Sequence, residues 1–145
     1  MNKATAKRTA VCMIANSLRK EGYSASEAFT LAWHRVRDTK FRAVGVTWDG
    51  RQDRLKYLRN CEPSDLAISY RREPSNQFDE NAIQILVTIK SQRKFTVIGY
   101  VPRVVAAQMA RVMDRGIEVK ADSFQIIGGY GNRENLGLLV NMAVA

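Results

Sequence analysis

The chain has 145 residues, 46% hydrophobic and 26% charged, a composition that supports one buried core without metal or disulfide help. No apolar run approaches the roughly 18 residues that span a bilayer, and the N-terminus lacks the apolar core of a signal peptide, so the sequence reads as a cytoplasmic protein without a membrane segment. A net charge of +9 points to an acidic partner, nucleic acid before anionic membrane, and the excess is spread, with eight Lys/Arg against three acids in residues 1–40 and fifteen against eleven in residues 41–145.

Residues 3 to about 38 read as two helices. Ala4–Lys20 is rich in Ala, Lys, Arg, Leu and Met, Gly22 breaks it, and Ser24 with Glu27 makes a capping box that opens the second. In the second, Phe29, Ala32, Trp33 and Val36 follow the i, i+3, i+4, i+7 spacing of a packing face. Such a hairpin either docks on the rest of the chain or offers its apolar side to a protein partner or a second copy. Cys12 and Cys61 have no CxxC or histidine spacing and His34 is the only histidine, so reduced structural thiols are expected, with no zinc and no cofactor. Near Thr39–Lys40 the period changes from helical to alternating without a Pro, Gly or Ser linker. The change divides the chain into an N-terminal helical extension, 1–40, and a β-rich domain, 41–145.

Phe41–Trp48 reads as a strand, and Asp49, Gly50, Arg51 and Gln52 as a turn that caps a short helix carrying Leu55, Tyr57 and Leu58. Leu66–Arg71 is a second strand. The stretch Arg71–Ile83 then holds a polar loop: Pro74 pushes Glu73 towards extended geometry, and Ser75, Asn76, Asp79 and Asn81 are side chains that fold back onto their own backbone. Such a loop either merely joins strands or holds a carboxylate and an amide in fixed directions beside basic residues, as recognition of a phosphate-bearing ligand requires.

Beyond it Ile83, Ile85, Val87 and Ile89 alternate with Gln84, Leu86, Thr88 and Lys90, the pattern of a strand with one buried face, and Ser91, Gln92 and Arg93 turn the chain into Lys94–Val101. Pro102, the stripe Val105, Met109, Val112 and Met113, and Gly116 mark a helix. Ile117–Ile127 and Leu136–Val144 close the chain as strands joined by a turn over Gly128–Asn132. The sum is an α+β fold, mostly β with helices. Five or six antiparallel strands form a small, OB-like, partly open barrel with one inserted helix, preceded by the helical hairpin. Barrels of this type bind oligonucleotides on one face.

Three separated stretches carry a family likeness: Val44-Gly45-Val46-Thr47-Trp48-Asp49-Gly50-Arg51-Gln52, then Arg72-Glu73-Pro74-Ser75-Asn76-Gln77-Phe78-Asp79-Glu80-Asn81-Ala82-Ile83, then Ile98-Gly99-Tyr100-Val101-Pro102-Arg103 with Ala106. By these motifs and their order the chain resembles the HIRAN domain from Phe41 to Val144. The resemblance implies a modified OB-like barrel that recognises single-stranded DNA with a free 3′ end, in DNA repair or replication. Asp79 matches the acid that receives the terminal 3′ hydroxyl; a carboxylate accepts that hydrogen bond and repels a phosphate-capped end. Asn76 and Phe78 match neighbours in the same loop, as a hydrogen-bonder and a ring. Trp48 matches a base-stacking aromatic, and Tyr100 and Arg103 match positions that contact the strand and its phosphates.

Thr47, Trp48 and Asp49 stand where characterised members carry an arginine and two aromatics, and Tyr100 replaces a histidine. Arg51, Arg71 and Arg72 are the candidates for the phosphate contact this leaves open, while Pro74, Asn81 and Ala82 read as builders of the loop. No G-x-x-x-x-G-K-[ST] phosphate loop is present, so a non-enzymatic sensor or recruiter is expected. Two rivals are a nuclease holding Mg²⁺ through Glu73, Asp79 and Glu80, which lacks a catalytic lysine at short strand spacing, and a protein adaptor working through residues 1–40 and an open sheet edge.

Overall fold

The computed structural model describes residues 1–131 and 133–145. Helix α1 (Lys3–Lys20) starts where the Asn2 side chain accepts from Thr5 N–H at 2.8 Å. Helix α2 (Ala25–Arg37) starts where Ser24 Oγ accepts from Glu27 N–H at 3.2 Å. The inward face of α2 is Ala28, Ala32 and Val36, with Trp33 partly buried and Arg37 stacked on its ring at 5.2 Å. Phe29, which the spacing places on the packing face, is exposed. Small alanines let this helix approach its neighbours closely, and the larger ring falls at the rim of the contact.

The first sheet is organised on β7 (Arg133–Val144). β1 (Thr39–Arg42) and β6 (Phe124–Tyr130) lie antiparallel along it, and β5 (Val119–Lys120) pairs with Val144 and Ala143. The second sheet has the order β2 (Leu66–Arg72), β3 (Ile83–Ile89), β4 (Lys94–Tyr100) and is antiparallel throughout. The two sheets do not close into a full barrel. Val44 N–H donates to the Tyr100 carbonyl at 2.9 Å and Tyr100 N–H to the Val44 carbonyl at 2.8 Å, which ties the segment after β1 to β4.

Helix α4 (Arg103–Asp114) turns Val105, Ala106, Met109, Ala110 and Val112 inward. They join one core with Ile14, Ala15 and Leu18 of α1, Ile83 and Ile85 of β3, and Leu138, Val140 and Met142 of β7. The N-terminal hairpin therefore docks on the β-structure and shares its core. Burying each such aliphatic side chain contributes about 1.5–3 kcal/mol. A second cluster sits under helix α3 (Arg51–Arg59), where Leu55 and Leu58 meet Leu66, Val87, Ile89, Ile98 and Leu136. Cys12 and Cys61 are free thiols, and among the described residues no helix is long and apolar enough to cross a membrane.

Two boundaries differ from the sequence reading. The strand expected over Phe41–Trp48 stops at Arg42, because Gly45 takes φ +71° and Val44 leaves for the other sheet. Gly99 permits that crossing, since a Cβ there would stand 2.8 Å from the Val44 carbonyl oxygen. The turn expected over Gly128–Asn132 is shorter. Gly128, Gly129 and Tyr130 belong to β6, where positive φ values of 89° and 80° at the two glycines accommodate a bulge, and β7 already begins at Arg133. Asn132 lies outside the described residues. The chain also forms seven strands among those described, because β5 is a separate short strand where one continuous strand over Ile117–Ile127 was expected.

Candidate nucleic-acid interface

Between β2 and β3 the loop is closed at its base by Glu73 N–H donating to the Ala82 carbonyl at 2.9 Å. Asn76 shapes its tip. Its Oδ1 accepts from Phe78 N–H at 2.9 Å and from Asp79 N–H at 3.0 Å, and Asp79 Oδ1 in turn accepts from Asn81 N–H at 2.9 Å. This self-bonding leaves Phe78 82% exposed, with no core to fill, and leaves Asp79 Oδ2 facing outwards at 3.7 Å from Arg103 Nε. Arg103 also donates from Nη2 to the Phe78 carbonyl at 3.2 Å.

The segment after β1 supplies the opposite wall. Arg51 N–H donates to the Trp48 carbonyl at 3.0 Å, Asp49 and Gly50 take φ of +53° and +72°, and the Trp48 ring stands 69% exposed. Arg51 lies beneath, only 8% exposed; its Nη1 donates to the Gly45 carbonyl at 2.7 Å, and its guanidinium sits 5.3 Å from the Tyr100 ring. The Arg51 Nε is buried without a hydrogen-bond partner among the described residues, and its Nη2 lies 3.6 Å from Asp49 Oδ2, a further acid of the groove lining. Together Val44, Gly45, Trp48, Arg51, Asn76, Phe78, Asp79, Tyr100 and Arg103 line one groove of about 620 Å³.

Seven of the nine residues picked from the sequence thus meet at one place. Arg71 and Arg72 do not line the groove. Arg72 is committed to structure, donating to the Ala82 carbonyl at 2.6 Å and the Glu80 carbonyl at 2.9 Å and pairing with Asp114 of α4 at 2.8 Å, so it fastens the loop to that helix. Arg71 lies on the outer face of the second sheet, its Nε donating to Gln84 Oε1 at 2.8 Å. Asn76 reaches the groove, but its carbonyl is taken up by the loop backbone.

Two residues that sequence reasoning left out of the nucleic-acid-binding set hold the site. Gln52 donates from Nε2 to the Val46 carbonyl at 3.0 Å and the Leu136 carbonyl at 2.9 Å and accepts from Leu136 N–H at 2.8 Å, fixing the Trp48 segment to β7. The signal was its place inside the first motif. Glu73, read as a surface or metal-binding acid, accepts from the Tyr100 hydroxyl at 2.6 Å and from Asn76 Nδ2 at 3.1 Å. It joins the loop to the groove floor.

The Tyr100 hydrogen bond is the main reason the Glu73 carboxyl sits below its ordinary range, helped by Asn76, Arg51 and Arg71 and opposed by partial burial. Burial first and Glu73 second push the Tyr100 hydroxyl up. A depressed carboxyl contributes stability that is present above its unfolded value, near 4.5, and is lost as pH falls through its folded value. Glu73→Gln is therefore expected to melt below the parent at neutral pH and to converge with it in acid. Melts of both proteins from neutral to strongly acidic pH check this; a gap that stays constant would refute the clamp.

Fold and groove together define an α+β module of two open antiparallel sheets with a groove at their junction. The chain belongs to the HIRAN domain family, whose model matches residues 36–136, more than half of its length. That family is generally linked to DNA binding. Among solved structures, the chain is similar to a protein from Lactobacillus plantarum at 23% identity, covering 72% of this chain and 96% of that one with a TM-score of 0.44. It is also similar to the HIRAN domain of human HLTF at 16% identity, covering 73% of this chain and 74% of that one with a TM-score of 0.42. No curated protein matches it in sequence.

Proposed function

We propose that the chain is a non-catalytic module that binds single-stranded DNA at a free 3′-hydroxyl end and serves DNA repair or replication as a sensor or recruiter. One observation carries this reading. Segments far apart in sequence bring two exposed rings, Trp48 and Phe78, and one sheltered carboxylate, Asp79, to a single groove with Arg51 in its floor and Arg103 at its rim. Exposed rings stack bases without regard to sequence, arginines hold phosphates, and a carboxylate accepts from a terminal hydroxyl. Membership of a family linked to DNA binding supports the coarser part. The nuclease alternative is disfavoured because the Glu73 carboxylate is taken up by Tyr100 and Asn76.

A fluorescence titration tests the proposal with two strands of about twelve nucleotides, within the span of one such barrel, differing only in a 3′-hydroxyl or 3′-phosphate end. The hydroxyl end is expected to bind at least about tenfold tighter, the effect of roughly 1.4 kcal/mol. Affinity should fall with salt by a log–log slope of about −0.7 per phosphate contact. Equal affinities would remove end recognition. Absence of any salt-dependent binding would leave the adaptor reading, for which the exposed Tyr23, Phe29 and Leu31 of the hairpin offer apolar contacts to a protein partner or a second copy.

A further inference from the structure

The outer face of the second sheet continues the groove. Antiparallel register places Arg71, Gln84 and Tyr100 in one row across β2, β3 and β4, followed by Ser69, Leu86 and Val97, and then Ala67, Thr88 and Phe95. Tyr100 is also a groove residue, so the first row begins at the site itself. The bulge between Ile85 and Leu86 turns Ile98 into the core and brings Phe95 to the same face as Tyr100 despite their odd spacing. Phe95 is 60% exposed, and the Arg71 guanidinium lies over its ring at 5.6 Å. Arg71 is held there by Gln84, and no carboxylate pairs with it among the described ion pairs. Arg93 and Lys94 are exposed at the far end of the strand.

A single exposed ring on a protein surface means little. This one differs in three respects: it is continuous with a groove through a hydrogen-bonded row, an arginine without a direct ion pair among the described residues lies over it, and further cations lie beyond it. An aromatic face beside a cation is the unit from which sequence-tolerant single-strand paths are made, the ring stacking a base and the guanidinium meeting a phosphate. Because of the bulge, Tyr100 and Phe95 stand opposite Gln84 and Thr88, four steps along β3, roughly 13 Å. At about 3.4 Å per stacked nucleotide that is on the order of four nucleotides, and fewer for a stretched strand.

We propose that the outer face of β2–β3–β4, with Phe95 as stacking platform and Arg71 as phosphate contact, is a second subsite that takes the part of a single strand leading away from the groove. The inference rests on the end-binding reading above and adds a path and a length requirement to it.

The test compares oligothymidines of about four and about twelve nucleotides, both ending in 3′-OH, on the intact protein by fluorescence anisotropy. The longer strand is expected to bind on the order of tenfold tighter or more. Phe95→Ala should abolish most of that gain and leave the short strand unchanged. Arg71→Gln should reduce the salt slope by about 0.7 for the long strand only. Equal binding of the two lengths by the parent protein, or a Phe95→Ala protein that keeps the full gain or loses affinity equally for both, would overturn the second subsite. If the short strand still prefers a 3′-hydroxyl over a 3′-phosphate end in those cases, the groove reading stands alone. If neither length binds, the groove reading and the second subsite both fall.

Discussion

Asp79→Asn is expected to bring the affinities for 3′-hydroxyl and 3′-phosphate strands together while leaving the fold intact. Asparagine is the informative replacement because Asp79 Oδ1 already accepts from Asn81 N–H, and an amide oxygen preserves that turn bond where alanine would also loosen the loop. What the change removes is charge on Oδ2, the oxygen facing the groove. Two unit charges about 4 Å apart interact by roughly 1 kcal/mol in water and about 4 kcal/mol at the effective dielectric of a protein surface. The Asp79 side chain is 21% exposed, between those limits, so its repulsion of a terminal phosphate is of the order of tenfold to several hundredfold. Arg103 works against this discrimination, since it attracts phosphate at either end, but its side chain is 78% exposed and screened. Arg103→Ala should therefore weaken both strands alike. A paired titration of the parent and the asparagine variant decides the matter: undiminished preference in the variant would remove Asp79 from end recognition.

How much of the molecule was legible in its sequence depends on the range of the interactions involved. The two N-terminal helices, the alternating strand at Ile83–Ile89 and the stripe of α4 are periodic within a few residues, so their hydrophobic faces show in one dimension. Phe78 and Asp79 were legible for a similar reason, because the Asn76 turn that presents them is local. The route of the chain from Ala43 to Gly50 was not. It depends on Val44 pairing with Tyr100 more than fifty residues away and on Gln52 bonding Leu136, contacts that leave no local period. Arg72 illustrates the same limit. Its charge suggested a phosphate contact, but its partners are two carbonyls of the loop and an acid on α4, and only the fold brings that acid within reach. Glycine was ambiguous in a different way: a positive φ serves both turns and bulges, and at Gly128 and Gly129 the bulge is the one that occurs.

Trp48→Ala and Phe78→Ala are each expected to weaken single-strand binding by about 1–3 kcal/mol, roughly fivefold to a hundredfold, with changes in folding stability within about 0.5 kcal/mol. The separation of the two effects comes from exposure. With 69% and 82% of their surfaces in water, the rings contribute little to the core, whereas a buried ring of that size costs about 3–5 kcal/mol to delete. Tyr100, tied to Glu73 and backed by Arg51, would not separate them so cleanly. A double-mutant cycle then reads the geometry of the bound strand. Rings that enclose one base should lose less together than the sum of their separate losses, and rings that stack different bases should lose the sum. Phe78→Tyr keeps a stacking face and should keep affinity, but Phe78→Leu keeps only apolar surface and should lose most of it. Parent-like binding by both alanine variants would mean that the rings are not stacking platforms, and equal binding by the tyrosine and leucine variants would mean that Phe78 acts through apolar burial alone.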